Sequence, residues 1–243
     1  RRATQDFVPI SQVIDSYYEQ INYLQEHRGE VVGVPTGFRD LDEITGGLQQ
    51  SDLIILAARP SVGKTSFVLS LAYNIALRNQ RNVGIFSLEM SRDQLVQRLL
   101  AMDSRIDTHR LRTGHVGETE LQVVMSSMAR LAAVPIYIED TPGQTIMEVR
   151  SKARRLQSQY GVDIIIIDYL QLMAGKRSEN RVQEVSEISR GLKALARELN
   201  VPVHPVATNS GVHWPAHGLL RKPGVIVFEY LEPIPAGLKR GEF

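Results

Sequence analysis

Residues 58–65, Ala58-Arg59-Pro60-Ser61-Val62-Gly63-Lys64-Thr65, stand between an apolar run, Leu53 to Ala57, and a helix-like stretch that begins at Ser66. A buried strand, a turn ending in Gly-Lys-Thr and a following helix form an arrangement that cradles a chain of phosphates. Backbone N–H groups and the positive end of the helix meet the anion, the lysine reaches the β and γ phosphates, and the final hydroxyl holds Mg²⁺. On this reading residues 58–66 bind nucleotide, with Lys64 on the phosphates and Thr65 on the metal, and the expected ligands are ATP and Mg²⁺. Ala58 replaces the glycine that usually opens the pattern.

A loop of this kind needs a sheet behind it, and the rest of the chain supplies one. Leu53 to Ala57, Val83 to Leu88, Pro135 to Ile138 and Ile164 to Ile167 are short, almost wholly apolar runs, as strands buried on both faces of a parallel sheet are. Helical patterns separate them. Ile146, Val149, Ala153, Leu156 and Tyr160 follow a 3-4 spacing behind a Thr145-x-x-Glu148 capping box, and Ser91-x-x-Gln94 opens another helix. Val185, Ile188, Leu192, Leu195 and Leu199 repeat the spacing ahead of a further strand at Val201. The alternation predicts an α/β fold, a mostly parallel, doubly wound sheet with helices on both faces. At 243 residues and 43% hydrophobic content the chain can bury a full core.

Two acids belong with the loop. Asp168 follows the buried run Ile164 to Ile167, where a carboxylate at the carboxyl end of a strand reaches the Mg²⁺ shell beside Thr65. Glu89 follows Val83 to Leu88 and emerges at the same sheet edge, where it can orient and activate a water for attack on the γ phosphate. Lys64 and Glu89 are therefore the expected catalytic residues, and Thr65 and Asp168 the expected metal residues. Either acid alone reads as a solvated strand end; together with the loop they point to hydrolysis.

The start of the chain differs in character. Ile10, Ile14, Tyr17, Ile21 and Leu24 form a narrow apolar stripe on a helix that ends near Gly29, ahead of the turn-rich segment Gly33 to Gly37. Such a stripe either packs on its own domain or docks on a neighbouring subunit. The stripe-bearing helix and its connection take up residues 1–32, the strand–helix alternation behind the phosphate loop residues 33–200, and a separate C-terminal segment residues 201–243.

Charge and composition narrow the class. The net charge of +1 gives no general case for nucleic acid, so such a partner needs a local patch. The absence of cysteine removes disulfides, thiolate metal sites and cysteine nucleophiles. No run approaches the length of a membrane span and none follows Arg1 to Gln5 as a signal core, so the expected location is the cytoplasm, with no membrane partner.

Gly33-Val-Pro-Thr-Gly-Phe-Arg-Asp-Leu-Asp42, Gly46-Gly47-Leu48, the phosphate loop, Phe86-Ser-Leu-Glu-Met-Ser91 and Ile166-Ile-Asp-Tyr-Leu-Gln-Leu-Met173 together resemble the motor domain of the bacterial replicative DNA helicases of DnaB type. The resemblance runs over about residues 7–203. It implies a RecA-like P-loop ATPase core behind a linker helix, in a homohexameric ring that hydrolyses ATP between subunits and draws single-stranded DNA through its centre. A helicase loader and primase are the further partners it implies. By motif, Lys64 and Thr65 hold phosphate and Mg²⁺, Glu89 is the catalytic carboxylate and Asp168 the second acid on the metal side. The loop Ala174 to Gln183 matches a channel-facing segment, whose Lys176, Arg177 and Arg181 suit a phosphate backbone. The family's collar domain precedes the linker, and this sequence begins at the linker match.

The match breaks near Val201-Pro-Val203. The family pattern continues with a glutamine that senses the γ phosphate, a DNA-binding loop and an arginine finger. Here Val201-Pro-Val-His-Pro-Val206, Asn209-Ser-Gly211, Trp214-Pro215, Lys222 to Pro235 and Gly237-Leu238 resemble instead the C-terminal end of lysophosphatidic acid acyltransferases of PlsC type. That family implies a His-x4-Asp motif, yet the residues five places after His27, His109, His115, His204, His213 and His217 are Val32, Gly114, Glu120, Asn209, Gly218 and Lys222. Acyltransferase chemistry is thus the weakest reading. Val225 to Tyr230 is strand-like and is expected to fill the sheet position of the helicase's late strand. A RecA-type recombinase that forms filaments, and a nucleotide-binding module without turnover, remain as alternatives.

Overall fold

The structure, a computed structural model, describes residues 9–26, 31–58, 62–169, 172–173 and 181–208. Five parallel strands, β1 (Leu56–Ala58), β2 (Val83–Ser87), β3 (Ile136–Glu139), β4 (Ile164–Asp168) and β5 (Val203–Thr208), form one sheet in the order β1-β5-β4-β2-β3. The helices are α1 (Ile10–Glu26), α2 (Arg39–Thr45), α3 (Lys64–Tyr73), α4 (Arg92–Ser104), α5 (Thr108–Thr113), α6 (Glu118–Ala132), α7 (Ile146–Tyr160) and α8 (Arg181–Leu199), with a π-helical turn, Asn74–Arg78, extending α3.

Side chains alternate across each strand, so the sheet feeds two cores. Ile85, Ile164 and Ile166 pack with Val68, Leu71, Ala72 and Ile75 of the α3 layer, while Phe86, Ile165 and Ile167 pack with Val149, Ala153, Leu192 and Leu195 of α7 and α8. All four isoleucines of β4 are fully buried, which is why that run reads as unbroken apolar sequence. Both expected capping boxes form: Ser91 and Gln94 at α4, Thr145 and Glu148 at α7.

One strand starts later than the sequence pattern predicts, and a proline accounts for it. Leu53 to Ala57 is the expected run, but β1 is regular only over Leu56–Ala58, with Leu53 in an isolated bridge to Val203. The register is continuous across this gap. Val203 N–H donates to Asp52 O at 2.8 Å and Ile54 N–H to Val203 O at 2.9 Å, so the next donor toward β1 falls at residue 205. Position 205 is Pro, which has no N–H, and the ladder misses that rung. The strand expected at Val201 is β5, Val203–Thr208, and it lies centrally, between β1 and β4. The sheet thus reaches past the 33–200 boundary read from sequence, to Thr208. Its His204 stands beside Ile166 in the ladder and is 4% exposed, with Nδ1 unpartnered among the described residues.

α1 keeps its apolar stripe in the open: Ile10, Ile14 and Tyr17 are 76%, 56% and 61% exposed. Farther along the stripe Ile21 is 38% exposed and Leu24 is half-buried. The strand proposed at Val225 to Tyr230 lies outside the described residues.

Candidate functional site

Ala58 ends β1, Asp168 ends β4 and Ser87 ends β2, all at the carboxyl edge of the sheet. α3 begins at the same edge with Lys64, so its unbonded N–H groups and positive end face the region into which those strands open. Gly63, just before it, has φ +104, and an added Cβ there would meet nothing within 4 Å. That backbone conformation suits glycine, and the space beside it is open. Val62, Gly63 and Ser66 are exposed around the helix start. Arg59, Pro60 and Ser61 lie outside the described residues.

Two residues far apart in sequence meet here. Thr65 Oγ1 donates to Asp168 Oδ2 at 2.8 Å, joining the first turn of α3 to the end of β4. Asp168 is 3% exposed, and its Oδ1 is buried with no hydrogen-bond partner among the described residues. Burial pushes the Asp168 carboxyl above the ordinary aspartate range, while the Thr65 hydrogen bond pulls the other way. A buried carboxylate oxygen with no donor, beside a hydroxyl, is a donor set that fits a hard divalent cation. Lys64 completes the corner. Its Nζ lies 5.1 Å from the ring centroid of Tyr169, and burial lowers its pKa against the opposing charges of Asp168 and Glu89.

Glu89 sits on the tight turn between β2 and α4, and it is exposed. Ser87 Oγ closes that turn, donating to Met90 O at 2.7 Å and accepting from Met90 N–H at 3.3 Å. Leu88 N–H donates to Asp168 O at 2.6 Å, which ties the turn to the β4 end. Lys64, Thr65, Glu89 and Asp168 therefore share one corner of the molecule. Lys176 and Arg177 lie outside the described residues; Arg181 opens α8, and its side chain lies outside them too.

The sequence reading missed three neighbours. Tyr169 follows Asp168 and carries the ring near Lys64; the Asp168–Tyr169 peptide bond is cis. Arg98, on α4, is among the positive charges that act on Asp168. β5 ends at Thr208, opposite Ala58, so its carboxyl end opens between the phosphate loop and Asp168. Strand order is what brings β5 there, and a linear pattern does not contain strand order.

Residues 33–208 match the family described as DnaB-like helicase C terminal domain. Over 205 residues, 84% of this chain, the sequence is 48% identical to the replicative DNA helicase DnaC of Bacillus subtilis (strain 168), and the match covers 45% of that protein. Identity to the replicative DNA helicase DnaB of Geobacillus stearothermophilus is 49% over 205 residues, again 84% of this chain and 45% of the relative. The chain thus spans less than half the length of these curated relatives. A DnaB-like replicative helicase, solved for its interactions with primase, superposes with a TM-score of 0.74 at 32% identity, over 84% of this chain and 49% of that one. A second solved structure, an isolated ATPase domain, gives 0.79 at 32% identity over 85% and 73%. The parallel sheet with a phosphate-loop helix at its carboxyl edge is accordingly a RecA-like ATPase core, and the chain belongs to the DnaB-like helicase C-terminal domain family.

Proposed function

We propose that this domain binds Mg-ATP at the corner formed by β1, β4 and α3 and hydrolyses it as the motor of a replicative DNA helicase. The observation that carries the reading is the Thr65–Asp168 hydrogen bond of 2.8 Å, with the second Asp168 oxygen buried and unpartnered beside it. Thr65 and Asp168 hold the metal side; residues 58–66 wrap the phosphates, with Lys64 on the β and γ oxygens. Mg²⁺, when bound, neutralises charge that develops on the phosphates. Glu89, on its exposed turn, orients the attacking water and takes its proton.

The motor reading extends to partners. Single-stranded DNA is the track, contacted by Lys176, Arg177 and Arg181, and six copies form a ring in the cytoplasm. The exposed stripe Ile10, Ile14 and Tyr17 supports docking of α1 on a neighbouring copy. A loader and primase engage the assembled ring. Of the residues 201–243 read from sequence as an atypical tail, Val203–Thr208 form β5 and lie inside the family match, while in residues 209–243 the sensor glutamine, DNA loop and arginine finger of the family pattern find no match. An interfacial arginine finger contributes about 10³ to 10⁵ in turnover, so a motor that works without one is expected to keep nucleotide binding and lose most of its hydrolysis.

Phosphate release from Mg-ATP, with and without single-stranded DNA and against Lys64→Ala, tests the reading. DNA-stimulated release that Lys64→Ala abolishes supports a working motor. Release at the Lys64→Ala level, with Mg-ATP still bound, supports a nucleotide-binding module. Failure of the unmodified chain to bind Mg-ATP would sink both.

A further inference from the structure

The turn that carries Glu89 is braced from both neighbouring strands. On the β4 side, Leu88 N–H donates to the Asp168 carbonyl. Within the segment, Met90 N–H donates to Ser87 Oγ and Ser91 N–H to Gln94 Oε1. The next N–H, that of Arg92, leaves the segment: it donates to Asp140 Oδ2 at 2.9 Å. The Arg92 guanidinium closes on the same carboxylate, with Nε to Oδ2 at 3.2 Å and Nη2 to Oδ1 at 2.7 Å. Asp140 follows β3, and the register Phe86–Glu139 sets it beside Ser87, across β2 from Asp168.

The Asp140 side chain is 15% exposed and that of Arg92 68%, and three donors from Arg92, two on the guanidinium and one on the backbone, converge on the two carboxylate oxygens. Those hydrogen bonds hold the Asp140 carboxyl below the ordinary aspartate range, so it stays charged at neutral pH. A backbone N–H bonded three residues after Glu89 fixes where the turn ends, and a bidentate guanidinium fixes its rotation. Without Asp140 the first turn of α4 keeps its Ser91 cap but loses these three hydrogen bonds to the end of β3.

We infer that Asp140, acting through Arg92, is a positioning residue for Glu89, holding the carboxylate at the attacking-water position from the β3 side while Asp168 braces it from β4. The inference rests on the assignment of Glu89 as general base. A positioning role predicts loss of transition-state stabilisation with nucleotide affinity intact, since neither Asp140 nor Arg92 belongs to the phosphate corner.

The experiment is a double-mutant cycle read by binding, which needs no turnover. Affinities for Mg-ADP and for Mg-ADP with aluminium fluoride, a transition-state mimic, are measured for the unmodified chain, Asp140→Ala, Glu89→Gln and the double variant. Asp140→Ala is expected to lower the preference for the mimic by about tenfold, with Mg-ADP affinity within about twofold of the unmodified chain. Asp140→Asn, which keeps one acceptor oxygen for the Arg92 N–H, recovers part of the loss. In the Glu89→Gln background, Asp140→Ala adds nothing further. An unchanged preference in Asp140→Ala overturns the inference, as does an equal loss for Mg-ADP itself, which would mark a general structural role. A loss that persists undiminished on top of Glu89→Gln also overturns it. If Glu89→Gln lowers the preference while Asp140→Ala does not, the inference alone fails; if Glu89→Gln keeps the full preference, the general-base assignment fails and the inference falls with it, as both do if the unmodified chain shows no preference.

Discussion

His204 makes the stability of this domain sensitive to mild acid. It lies in the central strand β5, 4% exposed, with Nδ1 unpartnered among the described residues, and burial lowers its pKa from 6.5 to about 4. The fold holds the neutral imidazole, whereas the unfolded chain takes a proton once the pH falls below 6.5. The contribution is therefore complete above pH 6.5 and is lost progressively down to about pH 4. With these two values, the change from pH 7 to pH 5 costs about 2 kcal/mol, and the full loss below pH 4 is about 3 kcal/mol. Urea unfolding at pH 7 and pH 5, for the unmodified chain and His204→Leu, measures it. Leucine has a similar volume and does not titrate, so the variant should lose about 2 kcal/mol less than the unmodified chain across that interval. Equal losses in the two proteins would refute the argument. They would mean that His204 accepts a proton in place, through water or a rearranged strand, and that the acid response belongs to carboxylates.

Two further outcomes follow from the site and from the entry to the core. Asp168→Asn removes a buried carboxylate whose folded-state pKa is raised, a group that penalises the fold at neutral pH. Without metal, the variant should melt higher than the unmodified chain, and it should gain far less from Mg²⁺ with nucleotide; a lower melting temperature in the absence of metal would contradict the burial argument. Gly33→Ala places a Cβ 2.7 Å from Gly47 C and Leu48 O, backbone atoms fixed by the Val34–Leu48 bridge. It should cost about 1–3 kcal/mol in urea unfolding, and a cost below about 0.5 kcal/mol would show that the two segments separate freely.

The sequence alone determined the parts whose cause is local. Gly63-Lys64-Thr65 specifies a helix start with free N–H groups because glycine permits the positive φ just before the first helical residue. Thr145 with Glu148, and Ser91 with Gln94, specify helix starts because cap and helix lie within four residues. The unbroken isoleucines of β4 specify a strand with no solvent face. Glu89 and Asp168 were legible as candidates because each follows such a run.

What tertiary structure decided is how those parts meet. The Thr65–Asp168 contact joins residues 103 apart in the chain, and it exists because β5 inserts between β1 and β4 while α3 starts at their common edge. The same insertion places His204 and Pro205 in the middle of the sheet, burying one and cutting a rung from β1 through the other. Parallel pairing sets Asp140 beside Ser87, with Arg92 in reach, and no local pattern in the sequence carries that placement. Periodicity and caps are properties of neighbours in sequence; strand order and register are set by which apolar faces bury together, and here they assemble the candidate site.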